Sequence, residues 1–269
     1  MSRRPISLHQ LSMMELTAIE LVRTASAAGF DRVCAYTCDP PRPNAGFPLI
    51  TPDTANEMAR VLEGEGVALY NVEVFVLTPD SDVAAFEAPL ALGAKLGGTR
   101  ATAVIGDEDE VRAAANLARF AELAGTFGIG AGVEFMAFSA IRTLGDAVRI
   151  VRGAAHPNVS VALDPLHLIR NGSTIADLRD VGSALIGYVQ LCDGPVEMAE
   201  EQRWDEAIAN RLMPGEGAFP LRELLALLPA DHCVSLEVPM ERRRLAGQDA
   251  LTRARLLAAA TRALEPVAT

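Results

Sequence analysis

Short apolar runs alternate with amphipathic stretches along this chain of 269 residues. The runs are rich in Val, Ile, Leu and Ala, which is the pattern of strands covered on both faces in a parallel sheet. The stretches between them repeat apolar residues every three or four positions, as helices packed on such a sheet do. Ile6–Leu8 reads as a first strand, and Ser12 with Glu15 three residues on reads as a capping box for a helix that runs to about Ala28 and stops at Gly29. Asp31–Tyr36 predicts a second strand. A Pro-rich loop, CDPPRPNAGFPLI, then leads to a helix from Thr51–Pro52 to Gly64–Gly66. Val67–Leu77 and Thr99–Ile105 predict the third and fourth strands, with a helix over Val83–Leu96 between them. The acidic segment DEDEV opens the next helix, as a helix dipole prefers. Strands five, six, seven and eight end on Glu134, Asp164, Gln190 and Glu237. The helices after them fall at Leu144–Ala154, Ile175–Ser183, Leu221–Leu228 (beyond a long loop from Asp193 to Pro220) and Gln248–Leu264.

Eight strand–helix units with no linker and no break in composition predict an α/β protein, a (β/α)8 TIM barrel spanning residues 1–269 as a single domain. A doubly wound sheet is the alternative, but its glycine fingerprint is missing. The segment GIGAG, Gly128 to Gly132, precedes a strand where a dinucleotide loop would follow one. Glu134 and Asp164 are 30 residues apart and Asp164 and Gln190 are 26 apart, each close to one unit. The 47 residues from Gln190 to Glu237 fit one unit plus a loop insertion. All four side chains then meet at the C-terminal mouth, where barrel enzymes keep their chemistry.

Composition narrows the classes. Half of the residues are hydrophobic and 22% are charged, which excludes a disordered chain, and no apolar run reaches the length of a membrane span. The N-terminal segment MSRRPISLHQLSMMELT has no sustained apolar core, so it predicts no secretory signal and a cytoplasmic protein. A net charge of −11 is a poor match to a phosphate backbone and argues against nucleic acid as a partner. Cys34, Cys38, Cys192 and Cys233 sit in or beside apolar runs, the setting of buried reduced thiols. The pair in CAYTC has no second CxxC or HxxxH to complete a structural zinc set.

The chemistry concentrates at the strand ends. In VSVALDPLHLIRNG an apolar run stops on Asp164, and VEFM, IGYVQLCDG and CVSLEVP bring Glu134, Gln190 and Asp193, and Glu237 to equivalent places. Three carboxylates and an amide converging on one point conflict electrostatically unless a cation joins them. Their oxygen-dominated donor set suits Mn²⁺ or Mg²⁺ better than Zn²⁺. A metal so held would polarise the carbonyl of a hydroxy-ketone and acidify the neighbouring C–H, with carboxylates on either side to move the proton. His9, at the end of the first strand, is a candidate to reach the same pocket. The ERRR run from Glu241 to Arg244 follows the eighth strand and reads as a solvated loop.

Taken together, VEFM, LDPLH, VQLCDG, RLMPGEG and SLEVP resemble the xylose isomerase-like TIM-barrel superfamily, which holds sugar isomerases and epimerases, most clearly from Val133 to Pro239. The resemblance implies a divalent metal on Glu134, Asp164, Gln190 and Glu237, with Glu134 and Glu237 as the acid/base pair of a ketose 3-epimerase type. It also implies that His167 meets a substrate oxygen and that Arg203 is the basic residue following strand seven. Asp193 and His9 complete the candidate substrate contacts. Relatives of the epimerase type carry His where this chain has Gln190, which is a departure from the pattern. The implied activity is isomerisation or epimerisation of a small carbohydrate-like polyhydroxy ketone through a metal-stabilised enediolate. Alternatives on the same fold are a dehydratase of a keto-inositol or dehydroshikimate type and a non-catalytic barrel subunit. The family's habit also implies a homo-oligomer, a dimer or tetramer.

Overall fold

The computed structural model describes residues 3–39 and 46–265. Within them eight parallel strands close into a barrel in sequence order, with the last returning to pair with the first. The strands are β1 (Ile6–His9), β2 (Arg32–Tyr36), β3 (Ala68–Leu77), β4 (Arg100–Ile105), β5 (Gly130–Glu134), β6 (Val159–Leu163), β7 (Ile186–Leu191) and β8 (Val234–Leu236). Around them lie α1 (Ala18–Ala28), α2 (Ala55–Glu65), α3 (Glu87–Lys95), α4 (Glu110–Thr126), α5 (Leu144–Ala154), α6 (Pro165–Arg170), α7 (Ile175–Val181), α8 (Arg203–Ile208), α9 (Leu221–Leu227), α10 (Glu241–Leu245) and α11 (Ala250–Arg262). The (β/α)8 barrel expected from the hydrophobic pattern is therefore the fold.

Successive side chains on a strand point to opposite faces, and the two faces here differ in chemistry. One set (Leu8, Val33, Val72, Ala101, Val133, Val161, Val189 and Leu236 among them) joins the large apolar core between strands and helices. The alternate set includes Ser7, His9, Asn71, Glu73, Thr102, Glu134, Gln190, Ser235 and, just past its strand, Glu237, all buried and all polar. Barrels of this kind usually fill their interior with branched aliphatic residues. This one fills much of it with hydrogen-bonding groups, at a desolvation cost that only partners can offset.

Four local expectations are corrected. The capping box belongs to Thr17 and Glu20, not to Ser12 and Glu15, because Ser12 is spent elsewhere: its Oγ donates to Leu236 O at 2.8 Å and accepts from Val238 N at 2.7 Å. The third helix begins at Glu87 after a 3-10 turn over Val83–Phe86, since Pro89 lacks an N–H and fits only a first turn. Asp164 caps an unforeseen helix, α6, accepting from Leu166 N at 2.7 Å with Pro165 in the first helical position. The ERRR run is helical, as α10, closed by an Arg244–Glu241 pair. Part of the Pro-rich loop, residues 40–45, lies outside the described residues.

No helix among the described residues is long and apolar enough to cross a membrane. Cys34, Cys38, Cys192 and Cys233 are all free thiols, and all but Cys38 are fully buried.

Candidate active site

A cavity of about 330 Å³ opens at the C-terminal end of the barrel. Its walls are apolar, with Tyr36, Phe47, Val104, Met136, Phe138, Trp204 and Ile208 among them. Its polar groups gather on the floor: Glu73, Glu134, His167, Arg211 and Glu237. Three of the predicted residues, Glu134, His167 and Glu237, thus line it. Asp164 and Gln190 lie fully buried beneath them.

Arg211 organises the acids. Its Nη1 donates to Asp164 Oδ2 at 2.7 Å, to Glu237 Oε2 at 2.9 Å and to the Glu237 carbonyl at 3.1 Å. Its Nε donates to Ala207 O at 2.9 Å, which fixes the fork. Burial opposes ionisation of Asp164, but Arg211, with a smaller contribution from His167, outweighs it and holds the carboxyl below its usual range. Glu237 remains raised, because burial, with Asp164 and Glu73 beside it, outweighs Arg211 and His9.

Glu134 has no such partner. Among the described residues it accepts no hydrogen bond, and His167 Nε2 stands 3.9 Å from its Oε1. Burial, then Glu237, Glu73 and Asp164, push its carboxyl well above the ordinary range. His167 moves the other way. Burial lowers its imidazole to about 4, so it is neutral at physiological pH and available to exchange a proton.

Gln190 shows what the site lacks. It is fully buried, and neither Oε1 nor Nε2 has a hydrogen-bond partner among the described residues. An orphaned buried amide costs roughly 1–3 kcal/mol. Ligand atoms of Glu134, Asp164 and His167 also lie within 4.8 Å of one another, all buried. Four buried carboxyls (Glu73, Glu134, Asp164 and Glu237) share one arginine. The donor set therefore fits a hard divalent cation: three carboxylates, an amide oxygen with nothing else to bind, and uncompensated negative charge.

The other predicted contacts lie away from the cavity wall. His9 is fully buried behind the floor; its Nδ1 accepts from Leu11 N at 3.1 Å, so its proton is on Nε2, 2.9 Å from Glu73 Oε2 and 3.5 Å from Glu237 Oε1. Asp193 holds a loop. Its carboxylate accepts from the backbone N–H of Gly194, Gly215, Gly217 and Phe219 at 2.8–3.1 Å. A Cβ at Gly217 would stand 2.3 Å from Gly194 O, so only glycine fits there. The clamped loop continues back to Leu212, which pairs with Asp193, and so sets the neighbouring Arg211. Arg203 opens α8 and does not line the cavity, whereas Trp204 beside it does.

Two floor residues escaped the sequence reading. Arg211 was in view as the first residue of RLMPGEG, while Arg203 took the role of the basic residue after strand seven. Glu73 gave the same signal as the other acids, a charge inside an apolar strand (LYNVEVFVL), but in mid-strand rather than at an end. Glu73 shares the inward face with Asn71 and pairs with Tyr36, the last residue of β2, while β3 runs on to Leu77, so a mid-strand residue lines the cavity.

A family model described as "Xylose isomerase-like TIM barrel" matches residues 22–264. Among curated proteins, the 3-dehydroshikimate dehydratase of Pseudomonas putida is 29% identical over 119 residues, 44% of this chain and 18% of that one. The inosose isomerase of Halalkalibacterium halodurans is 27% identical over 117 residues, 42% of this chain and 39% of that one. The match thus spans well under half the length of either relative. Solved structures share the fold. A xylose isomerase-like TIM barrel/4-hydroxyphenylpyruvate dioxygenase fusion protein superposes with a TM-score of 0.78 at 21% identity, covering 95% of this chain and 42% of that one. The IOLI protein with a zinc atom gives 0.75 at 16% identity, covering 97% of each chain. D-psicose 3-epimerase of Clostridium cellulolyticum H10 gives 0.73 at 17%, covering 97% of this chain and all of that one.

Proposed function

The chain belongs to the xylose isomerase-like TIM barrel family, and from that premise we propose that it is a metal-dependent enzyme that removes a proton next to the carbonyl of a small polyhydroxy ketone. Glu134, Asp164, Gln190 and Glu237 would hold the metal, Mn²⁺ or Mg²⁺ by the oxygen-rich donor set. When bound it would polarise the substrate carbonyl and stabilise the resulting enediolate. The observation that carries the reading is Glu134. It is a carboxyl at the cavity floor with a raised proton affinity and no hydrogen-bond donor, 3.9 Å from a neutral imidazole. A carboxyl so placed can take a proton from substrate and return it. Reprotonation at another face or carbon makes the reaction an epimerisation or isomerisation, with Glu237 as the opposing acid or base. Apolar walls over a polar floor suit a compact ring presenting one polar edge better than a chain of hydroxyls.

A second outcome, dehydration, has its own support. Arg211 pins Glu237 through both its side chain and its carbonyl, so the proton carriers not so pinned, Glu134 and His167, lie on one side of the floor. One carrier can serve an elimination twice. It takes the C–H proton, the electron pair passes to the enolate, the β C–O bond breaks as the double bond forms, and the same proton leaves with the hydroxyl as water. The inosose isomerase and the 3-dehydroshikimate dehydratase among the relatives are named for these two outcomes.

The test is incubation of Mn²⁺- and Mg²⁺-loaded protein with ketoses, inososes and 3-dehydroshikimate in D₂O, followed by mass spectrometry. Deuterium uptake beside the carbonyl indicates isomerase chemistry and loss of one water indicates dehydration. Glu134→Gln is expected to lower either by about 10²–10⁴-fold. No exchange and no water loss across the panel would sink the reading and leave a non-catalytic barrel.

A further inference from the structure

Glu73 is not among the four expected metal ligands, yet it is buried at the cavity floor, on the β3 side. The barrel wall supplies it with three donors. Asn71 Nδ2 stands 2.6 Å and Thr102 Oγ1 3.0 Å from Oε1, and His9 Nε2 stands 2.9 Å from Oε2. The His9 proton is on Nε2 because Nδ1 already accepts from Leu11 N, so all three contacts are donations and the carboxyl is ionised. Oε1 takes two of these donors and Oε2 one; the Cys34 thiol also stands beside the group, and the carboxylate lines the cavity, where Oε2 has acceptor capacity for a ligand. An isolated buried anion is costly, and three strands contribute side chains to hold this one at the cavity wall.

We infer that Glu73 is a second substrate anchor, a fixed anion that accepts a hydrogen bond from one hydroxyl of the substrate and so selects ligands carrying that hydroxyl. The inference rests on the polyhydroxy ketone reading above and adds a specificity element to it. The donor web supports binding rather than proton transfer, because three donors stabilise the anion and make it a poor base. A ring held at one edge by the metal-side acids would then be fixed at a second point, on the β3 side, and two points define its orientation. A site that hydrogen-bonds a hydroxyl rejects the analogue lacking it far more strongly than an apolar pocket rejects a change in size.

Full-length, Mn²⁺-loaded wild type and Glu73→Gln would be titrated calorimetrically with inositol and each of its monodeoxy analogues, which carry no carbonyl and cannot turn over. The wild type is expected to bind one deoxy analogue about tenfold to hundredfold more weakly than inositol. Glu73→Gln is expected to weaken inositol by a similar factor and that analogue by no further step, so the two changes are not additive. Equal binding of inositol and all deoxy analogues by wild type overturns the inference without any variant, and so does failure of metal-loaded wild type to bind any of these polyols. An equal loss for every ligand in Glu73→Gln assigns the residue to structure alone and also overturns it. The deuterium assay on ketones runs in parallel. Exchange without the coupling removes this inference only, and the coupling without exchange removes the proposed reaction only.

Discussion

Glu73 and Glu134 are both glutamates buried in the floor of one cavity, on β3 and β5 with β4 between them, and their carboxyls are driven in opposite directions. Burial penalises each anion. At Glu73 the contributions of His9 and Thr102 outweigh that penalty and hold the group below its usual range. At Glu134 three neighbouring acids add to it, and the smaller pull of Arg211 does not offset the sum. Depth therefore does not decide what a buried acid does; its donors do. On the β1–β4 side, side chains from three strands donate hydrogen bonds to the Glu73 carboxylate. On the β5–β8 side Glu134 is a raised acid, Gln190 is a buried amide with no hydrogen-bond partner among the described residues, and the proposed divalent ion would serve both.

The largest effect that would break this contrast comes from Arg211, which bonds both Asp164 and Glu237. Arg211→Met leaves Asp164 and Glu237 buried without their guanidinium, which costs about 3–5 kcal/mol in metal-free protein at neutral pH. Saturating Mn²⁺ is expected to restore most of it, read from urea unfolding midpoints with and without the ion. If Mn²⁺ restores nothing, the oxygens on this side do not form a metal site. At Glu73, Thr102→Val removes one donor at about 1.5–3 kcal/mol, and Mn²⁺ is expected to restore none of that.

The next effect is in the pH dependence of the metal-free protein. Glu134 has a folded pKa above its unfolded value, so its stabilising contribution is complete below the ordinary carboxyl range and is lost as pH rises toward the raised value. Over that interval the folded state binds the extra proton and stability falls by up to about 1.4 kcal/mol per pH unit. His167 gives the opposite limb. Its folded value of about 4 lies below the ordinary 6.5, so stability rises between those two values as the unfolded chain gives up its proton. Chemical denaturation across pH is expected to lose the falling limb in Glu134→Gln and the rising limb in His167→Asn. If Glu134 is a ligand, Mn²⁺ must displace its proton, and the ion's affinity is expected to climb with pH over the same falling limb.

The sequence carried the barrel almost completely, because the strands are buried on both faces and their periodicity survives in the residues themselves. The acids at strand ends were legible for the same reason: a charge closing an apolar run has few explanations. Glu73 was missed because β3 runs on past the end of β2, so the residue level with Tyr36 lies in mid-strand and gives no strand-end signal. Arg211 was passed over for Arg203 because loop residues carry no period. Only the Asp193 clamp on Gly215, Gly217 and Phe219 shows which arginine turns inward. Ser12 and Asp193 illustrate one further limit. Side chains that satisfy distant backbone groups look like caps or ligands until the chain is folded.

The smallest effect concerns the rim over the raised acid. Phe138 is partly exposed, meets Trp204 edge to face at 4.9 Å and 89°, and approaches the His167 ring edge at 6.4 Å. Edge-to-face pairs contribute about 0.5–1.5 kcal/mol beyond their buried area. If the pair only walls the cavity, Phe138→Leu loosens ground-state and transition-state binding alike. KM then rises by roughly threefold to tenfold, and kcat holds. If the ring also sets the orientation of His167, the conservative change reaches the proton carrier and kcat falls while KM stays near its original value. Steady-state kinetics on the substrate found in the D₂O panel separates the two. A fall in kcat would place His167, beside Glu134, in the proton transfer itself, and a change confined to KM would leave Glu134 as the carrier on that side.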